Sequence, residues 1–164
     1  RSERLLSFPL LFRAYLFLGL IEAGLAMGGF FLYLYSRGWT WGDHLDWSST
    51  LYKEATTVTL AGIVLAQVAN VFACRSDRLS MAKLGWFSNR LILWGILTEL
   101  TIVVFITYTP IGNQIFGTSP VPLWIYAPLV LGALMLLAAE ETRKALANRL
   151  RRYYEPQATQ TVGK

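Results

Sequence analysis

Apolar positions in this chain run nearly unbroken in four blocks, separated by polar and turn-rich segments. The first three are AYLFLGLIEAGLAMGGFFLYLY at 14–35, ATTVTLAGIVLAQVANVFAC at 55–74 and LILWGILTELTIVVFITYT at 91–109. The fourth occupies 121–141 and closes on Glu140 and Glu141. A helix crossing a hydrocarbon layer of roughly 30 Å, at about 1.5 Å per residue, needs about 20 such residues, and each block supplies them. No other stretch is long enough for a soluble core. The expected fold is an all-α membrane protein with four transmembrane helices.

The segments between the blocks complete this layout. Residues 1–13 form a basic, partly amphipathic lead-in that Pro9 breaks from the first span. Residues 36–54 make a long loop whose Trp39, Trp41 and Trp47 suit a membrane–water interface. Residues 75–90 form a second loop, with a short interfacial turn expected at 77–80. Residues 110–120, PIGNQIFGTSP, read as a turn-rich crossing. Beyond Ala139 the last helix is expected to continue through EETRKALANRLRRYY and to stop near Pro156, leaving PQATQTVGK as a disordered end. The division is therefore a lead-in at 1–13, a transmembrane domain at 14–147 and a basic tail at 148–164.

Composition and charge sharpen the picture. With 54% hydrophobic and 15% charged residues, the chain is too apolar for an ordinary soluble domain. The net charge of +5 would suit nucleic acid, but its distribution argues otherwise. Thirteen of the 15 Lys and Arg fall on the N-terminal segment, the 75–90 loop and the C-terminal tail, and only Arg37 and Lys53 lie on the opposite side. That asymmetry predicts both termini in the cytoplasm and contact with anionic lipid heads, with no nucleic-acid partner. The first apolar block is longer than a signal-peptide core and lacks a small-residue cleavage site. The chain opens on Arg1, not Met, so a piece of a longer protein is expected. Cys74 is the single cysteine, which sets aside disulfide and cysteine–metal readings.

Polar groups inside the blocks are the candidates for chemistry. Thr56, Thr59, Ile63, Gln67, Asn70 and Cys74 recur at helical spacing as one stripe of the second block. Gln67 and Asn70 would be costly facing lipid, so they should face other helices or a hydrated cavity. Two readings stand: helix–helix glue, or amide oxygens serving a hard cation. Glu99, flanked by Thr98 and Thr101, is an intramembrane carboxylate and so a functional candidate, although pairing or protonation would also satisfy it. Glu22, with no partner evident from sequence, reads as structural. Glu140 and Glu141 sit at the inner boundary, where solvation or pairing with Arg143, Lys144 and Arg75 would satisfy them. Gly24, Gly28 and Gly29 form a small-residue face for close helix packing. His44, between Asp43 and Asp46, reads as a solvated loop residue, with metal binding the sharper alternative. No phosphate loop, dinucleotide fingerprint, HExxH or nucleophile–histidine set occurs in the chain.

These residues, in this order, resemble transmembrane helices seven to ten of cation-transporting P-type ATPases of the calcium and sodium–potassium class. GLAMGGFFLYLY, beginning at Gly24, resembles the seventh helix. Gln67-x-x-Asn70-x-x-x-Cys74-Arg75, with Arg78, resembles the end of the eighth. Asn89-Arg90-Leu-Ile-Leu-x-Gly95-x-x-x-Glu99, followed by Tyr108-x-Pro110, resembles the ninth and its exit. The Glu140-Glu141-x-Arg143-Lys144 ending resembles that of the tenth. The likeness covers residues 5–147.

The resemblance implies the C-terminal membrane support domain of an ATP-driven pump in a multi-pass, plasma-membrane setting. Its partners would be the upstream helices of the same parent chain, the lipid bilayer and the transported cation. No cofactor is expected on this chain, because ATP and Mg belong to parent domains outside it. Gln67 stands where two-site calcium pumps use a Glu, and Asn70 where sodium–potassium pumps have an Asp. Glu99 matches a ninth-helix Glu associated with an extra sodium site or a proton route. The Gly24–Gly28 face matches the surface on which the fifth helix moves. A free-standing four-span scaffold with no ion role is the alternative. A small channel is disfavoured because Glu22 and Glu99 lie on different spans, with no repeat to ring a pore.

Overall fold

The computed structural model describes residues 18–75, Gly85 and 89–161, with 150–161 described by their backbone. The lead-in at 1–13, the first residues of the 14–35 span and the turn expected at 77–80 lie outside the described residues. The described elements are helices α1 (Gly19–Ser36), α2 (Thr50–Ala73), α3 (Arg90–Tyr108) and α4 (Pro110–Phe116), a 3₁₀ turn at Leu123–Ile125, and α5 (Tyr126–Thr161). Among the described residues, four segments are long and apolar enough to cross a membrane: Gly19–Ser36, Thr50–Ala73, Arg90–Tyr108 and Leu123–Arg149.

Local chemistry sets the boundaries. Ser49 caps α2 by accepting the Tyr52 N–H at 3.2 Å, so the helix starts five residues before the apolar block. Asn89 caps α3 by accepting the Leu91 N–H at 3.0 Å. Thr109, extended ahead of Pro110, ends α3 and also caps α4, its hydroxyl accepting the Gly112 N–H at 3.0 Å. Pro110 occupies the first turn of α4, and Gly117 at φ 65° closes it in the left-handed region. The 110–120 crossing is thus partly helical, where only turns were expected. The C-terminal expectation is corrected as well. α5 passes Pro156 and reaches Thr161 as one 36-residue helix, so no break separates span from tail. Proline deletes one intrahelical hydrogen bond, and the strong helix formers before it carry the helix through.

α1, α2 and α5 form the core, with α2 packed most extensively, first against α1 and then against α5. α1 and α2 are antiparallel: Tyr33 meets Glu54 at one end and Asn70 meets Glu22 at the other. The end holding the 36–49 and 109–122 connections is called the loop end, and the opposite one the tail end. The face α2 buries is made of small residues: Ala55, Thr57, Ala61, Gly62, Ala66, Ala69 and Ala73, with Val58 and Val64. Lipid tails are as apolar as leucine, so helices associate in membranes by close backbone approach, which small residues permit. A Cβ at Gly62 would lie 3.4 Å from the Ala26 Cα, and one at Gly29 would meet Leu129 Cδ2 at 2.8 Å. α3 stands apart, packed on α2 and α4, with only Ile106 and Thr107 buried.

Candidate cation site and its supports

Asn70 and Gln67 leave α2 in different directions. Asn70, three residues from the end of α2, reaches α1: its Nδ2 donates to Glu22 Oε2 at 3.0 Å. Glu22, in the first turn of α1, has the partner that sequence reading did not find for it. The antiparallel register of α1 and α2 makes the meeting, across 48 residues of sequence. The other amide atom, Asn70 Oδ1, is buried and has no hydrogen-bond partner among the described residues. Asn70 therefore combines an interhelical tie on its nitrogen with an unfilled acceptor on its oxygen. Gln67 is exposed on the outer surface of the bundle.

Glu99 lies elsewhere. It lines a groove of about 500 Å³ between α3 and α2, together with Leu60, Val64, Gly95, Thr98 and Ile102. The neighbouring threonines do not serve it. Thr98 Oγ1 donates to the Trp94 carbonyl at 2.9 Å, and Thr101 Oγ1 to the Leu97 carbonyl at 2.7 Å. Gln67 continues the Leu60–Val64 line by one turn towards the tail end but does not line the groove. Neither Gln67 nor Asn70 lines the groove that holds Glu99. The glycines divide similarly: Gly29 is buried against Leu129 and Val58, while Gly24 and Gly28 have open space where a side chain would stand.

Polar clusters at both ends hold these positions. At the tail end, Lys144 is 2% exposed and its Nζ donates to the Ala73 carbonyl at 2.8 Å. It thereby caps the C-terminus of α2, where a cation also complements the helix dipole. Its second bond, to Glu141 Oε1 at 3.0 Å, compensates the buried charge. Glu140 is fully buried and takes a bidentate pair from Arg143, Nε at 2.8 Å and NH2 at 2.7 Å. The expectation of solvation is corrected for Glu140, which is buried and paired, while Glu141 keeps 29% side-chain exposure and pairs with Lys144. Packing of α5 along α2 draws Glu140 and Lys144 inward, and i,i+3 partners satisfy them.

At the loop end, the Tyr33 hydroxyl donates to Glu54 Oε2 at 2.9 Å and accepts from Arg37 Nε at 3.1 Å. Thr57 Oγ1, at the same end of α2, accepts the Ser119 N–H at 3.1 Å and ties down the 109–122 connection. The acidic neighbours of His44 are committed to turns. Asp43 Oδ2 accepts from the hydroxyl and the N–H of Thr40, both at 2.7 Å, and Asp46 Oδ1 accepts the Ser48 N–H at 2.9 Å. These bonds hold both carboxyls below the usual range for aspartate, the Thr40 hydroxyl leading at Asp43 and the Ser48 backbone N–H at Asp46. Among the described residues no group of three His, Cys, Asp or Glu side chains is placed to hold a metal ion.

A bundle packed on small residues, with an amide–carboxylate tie between spans, has the construction of a helical membrane domain. The chain belongs to the family described as "Cation transporting ATPase, C-terminus", which matches residues 1–146. It is therefore a C-terminal membrane domain of the cation-transporting ATPase type. It is 32% identical over 109 residues to the probable cation-transporting ATPase F of Mycobacterium tuberculosis, a match covering 65% of this chain and 12% of that protein. It is 27% identical over 115 residues to the sodium/potassium-transporting ATPase subunit alpha-A of Artemia franciscana, covering 70% of this chain and 11% of that one. The potassium-transporting ATPase alpha chain 1 of Xenopus laevis is 23% identical over 169 residues, covering 88% and 16%. The chain thus spans a small fraction of the length of these curated relatives.

Proposed function

We propose that this domain braces the ion-carrying helices of an ATP-driven cation pump and contributes to the cation site or pathway through α2, with Asn70 at its edge. The buried, unfilled Asn70 Oδ1 carries this reading. Amide oxygens are ligands for hard cations, and an acceptor kept out of water without a donor is costly unless something fills it. The relatives' names, cation-transporting ATPase and sodium/potassium-transporting ATPase, suggest the activity; in this proposal ATP and Mg bind to parts of the parent chain outside this domain. Gln67 continues the polar surface of α2, and Glu99 offers a carboxylate at membrane depth on α3. Gly24 and Gly28 leave a smooth strip of α1 against which upstream helices can sit. The charge asymmetry supports a cytoplasmic tail end, and a plasma-membrane setting is part of the same proposal.

Cation-stimulated ATP hydrolysis by the full-length protein, across calcium, sodium, potassium and protons, identifies the ion and supplies the assay. Asn70→Ala is expected to raise the half-activating cation concentration, Gln67→Ala to raise it less, and Glu99→Gln to alter the pH dependence or the charge moved per cycle. Superimposable activation curves for both amide variants would return α2 to a purely structural role and favour a scaffold with no ion function.

A further inference from the structure

We infer that Glu22 is a positioning residue for Asn70: by accepting from Nδ2 it fixes which way the amide faces and so presents Oδ1 as a cation ligand. This rests on the reading of Asn70 given above. An asparagine amide has a donor end and an acceptor end, and rotating it by half a turn exchanges them. Here Asn70 Nδ2 donates to Glu22 Oε2 at 3.0 Å, which turns the nitrogen towards α1. Turned over, the amide would give up the bond it makes to Glu22 in this arrangement. The tie therefore holds Oδ1 on the side away from Glu22, where it is buried and unpartnered among the described residues.

The tie also acts through the amide. Hydrogen bonds in a chain polarise each other. Donation from Nδ2 to Glu22 shifts electron density onto Oδ1 and makes it a better ligand for a hard cation. Glu22 does not itself touch the ion in this arrangement.

The test is a double-mutant cycle on cation activation of ATP hydrolysis by the full-length protein in membranes, with the maximal rate per folded pump measured alongside. Asn70→Ala and Glu22→Ala should each raise the half-activating concentration by about tenfold, the scale of losing one well-placed ligand. The double variant should be no worse than Asn70→Ala alone, because Glu22 has nothing left to position. Glu22→Gln keeps shape and volume and carries the test if Glu22→Ala fails to fold. It should give a smaller shift that disappears when Asn70 is also Ala. A merely structural Glu22 would lower folded yield or maximal rate without moving the activating concentration, and that result overturns the inference. Multiplying shifts in the double variant, roughly a hundredfold together, would overturn it too, as would no shift at Glu22 beside a clear one at Asn70. Both results leave the reading of Asn70 standing. No shift at Asn70 defeats that reading, and the inference with it.

Discussion

α2 and α3 are both long enough to span a bilayer, yet the protein uses them in opposite ways. α3 is the more apolar, at mean hydropathy 2.0 against 1.6, but 17% of its spanning window is buried against 44% for α2. In a soluble protein the order would be reversed, since burial follows hydrophobicity. In lipid, large apolar side chains gain little by leaving the hydrocarbon, and packing goes to residues that let backbones come close. α2 has Ala, Gly and Thr on its inner face. α3 turns Leu91, Trp94, Leu97, Ile102 and Val104 outward. The helix with more small and polar residues is therefore the structural centre, and it also carries Asn70.

The largest expected effect breaks that contrast where α2 lies against the α1 backbone. Gly62→Leu should destabilise the full-length protein by about 3 kcal/mol or prevent folding, because the new side chain meets the α1 backbone near Ala26. Leu97→Ala on the open face of α3 should cost less than about 0.5 kcal/mol. Thermal unfolding in detergent, followed by fluorescence-detected gel filtration, compares the two. Next comes Lys144→Met, which removes the cap from the Ala73 carbonyl and leaves Glu141 without this partner. A loss of about 2 kcal/mol is expected, with faster hydrogen exchange at the tail end of α2 and none at α3.

A smaller change is expected of Tyr33→Phe. It deletes the bonds to Glu54 and Arg37 while keeping the ring, at about 1 kcal/mol in the same unfolding assay. The smallest concerns the 36–49 loop. Hydrogen bonding keeps Asp43 below its ordinary value, so its contribution is present above the unfolded pKa of about 3.9 and is lost as pH falls through the folded one. Trp39 Nε1 donates to the Asp43 carbonyl at 3.3 Å, so its fluorescence should report the loss on acidification. Asp43→Asn should flatten that response.

Much of the architecture was legible because bilayer thickness sets a length that an apolar run either reaches or misses. The α4 helix was also written in the chain, as Thr109–Pro110 at its start and Gly117 at its end. It went unread because Pro and Gly within seven residues look first like turns. The Glu22–Asn70 tie was not legible. Each residue was visible as a polar group in an apolar block, but their meeting depends on the register of two helices 48 residues apart in sequence. Burial of Glu140 was half legible: its spacing to Arg143 was plain, while its depth depends on how closely α5 lies along α2.

In the pump proposed here, the outer surface of α2 at Gln67 is covered by the rest of the parent chain while the apolar outer surface of α3 stands in lipid. Gln67 and Leu97 are both exposed in this domain, so the contrast must come from the remainder of the parent chain. Spin labels placed through Gln67→Cys and Leu97→Cys, in a cysteine-depleted full-length protein reconstituted in bilayers, read it by power-saturation oxygen accessibility. The label at 97 should show the high accessibility of a lipid-facing site, and the label at 67 a several-fold lower one. Equal, lipid-like accessibility at both positions would contradict the bracing role.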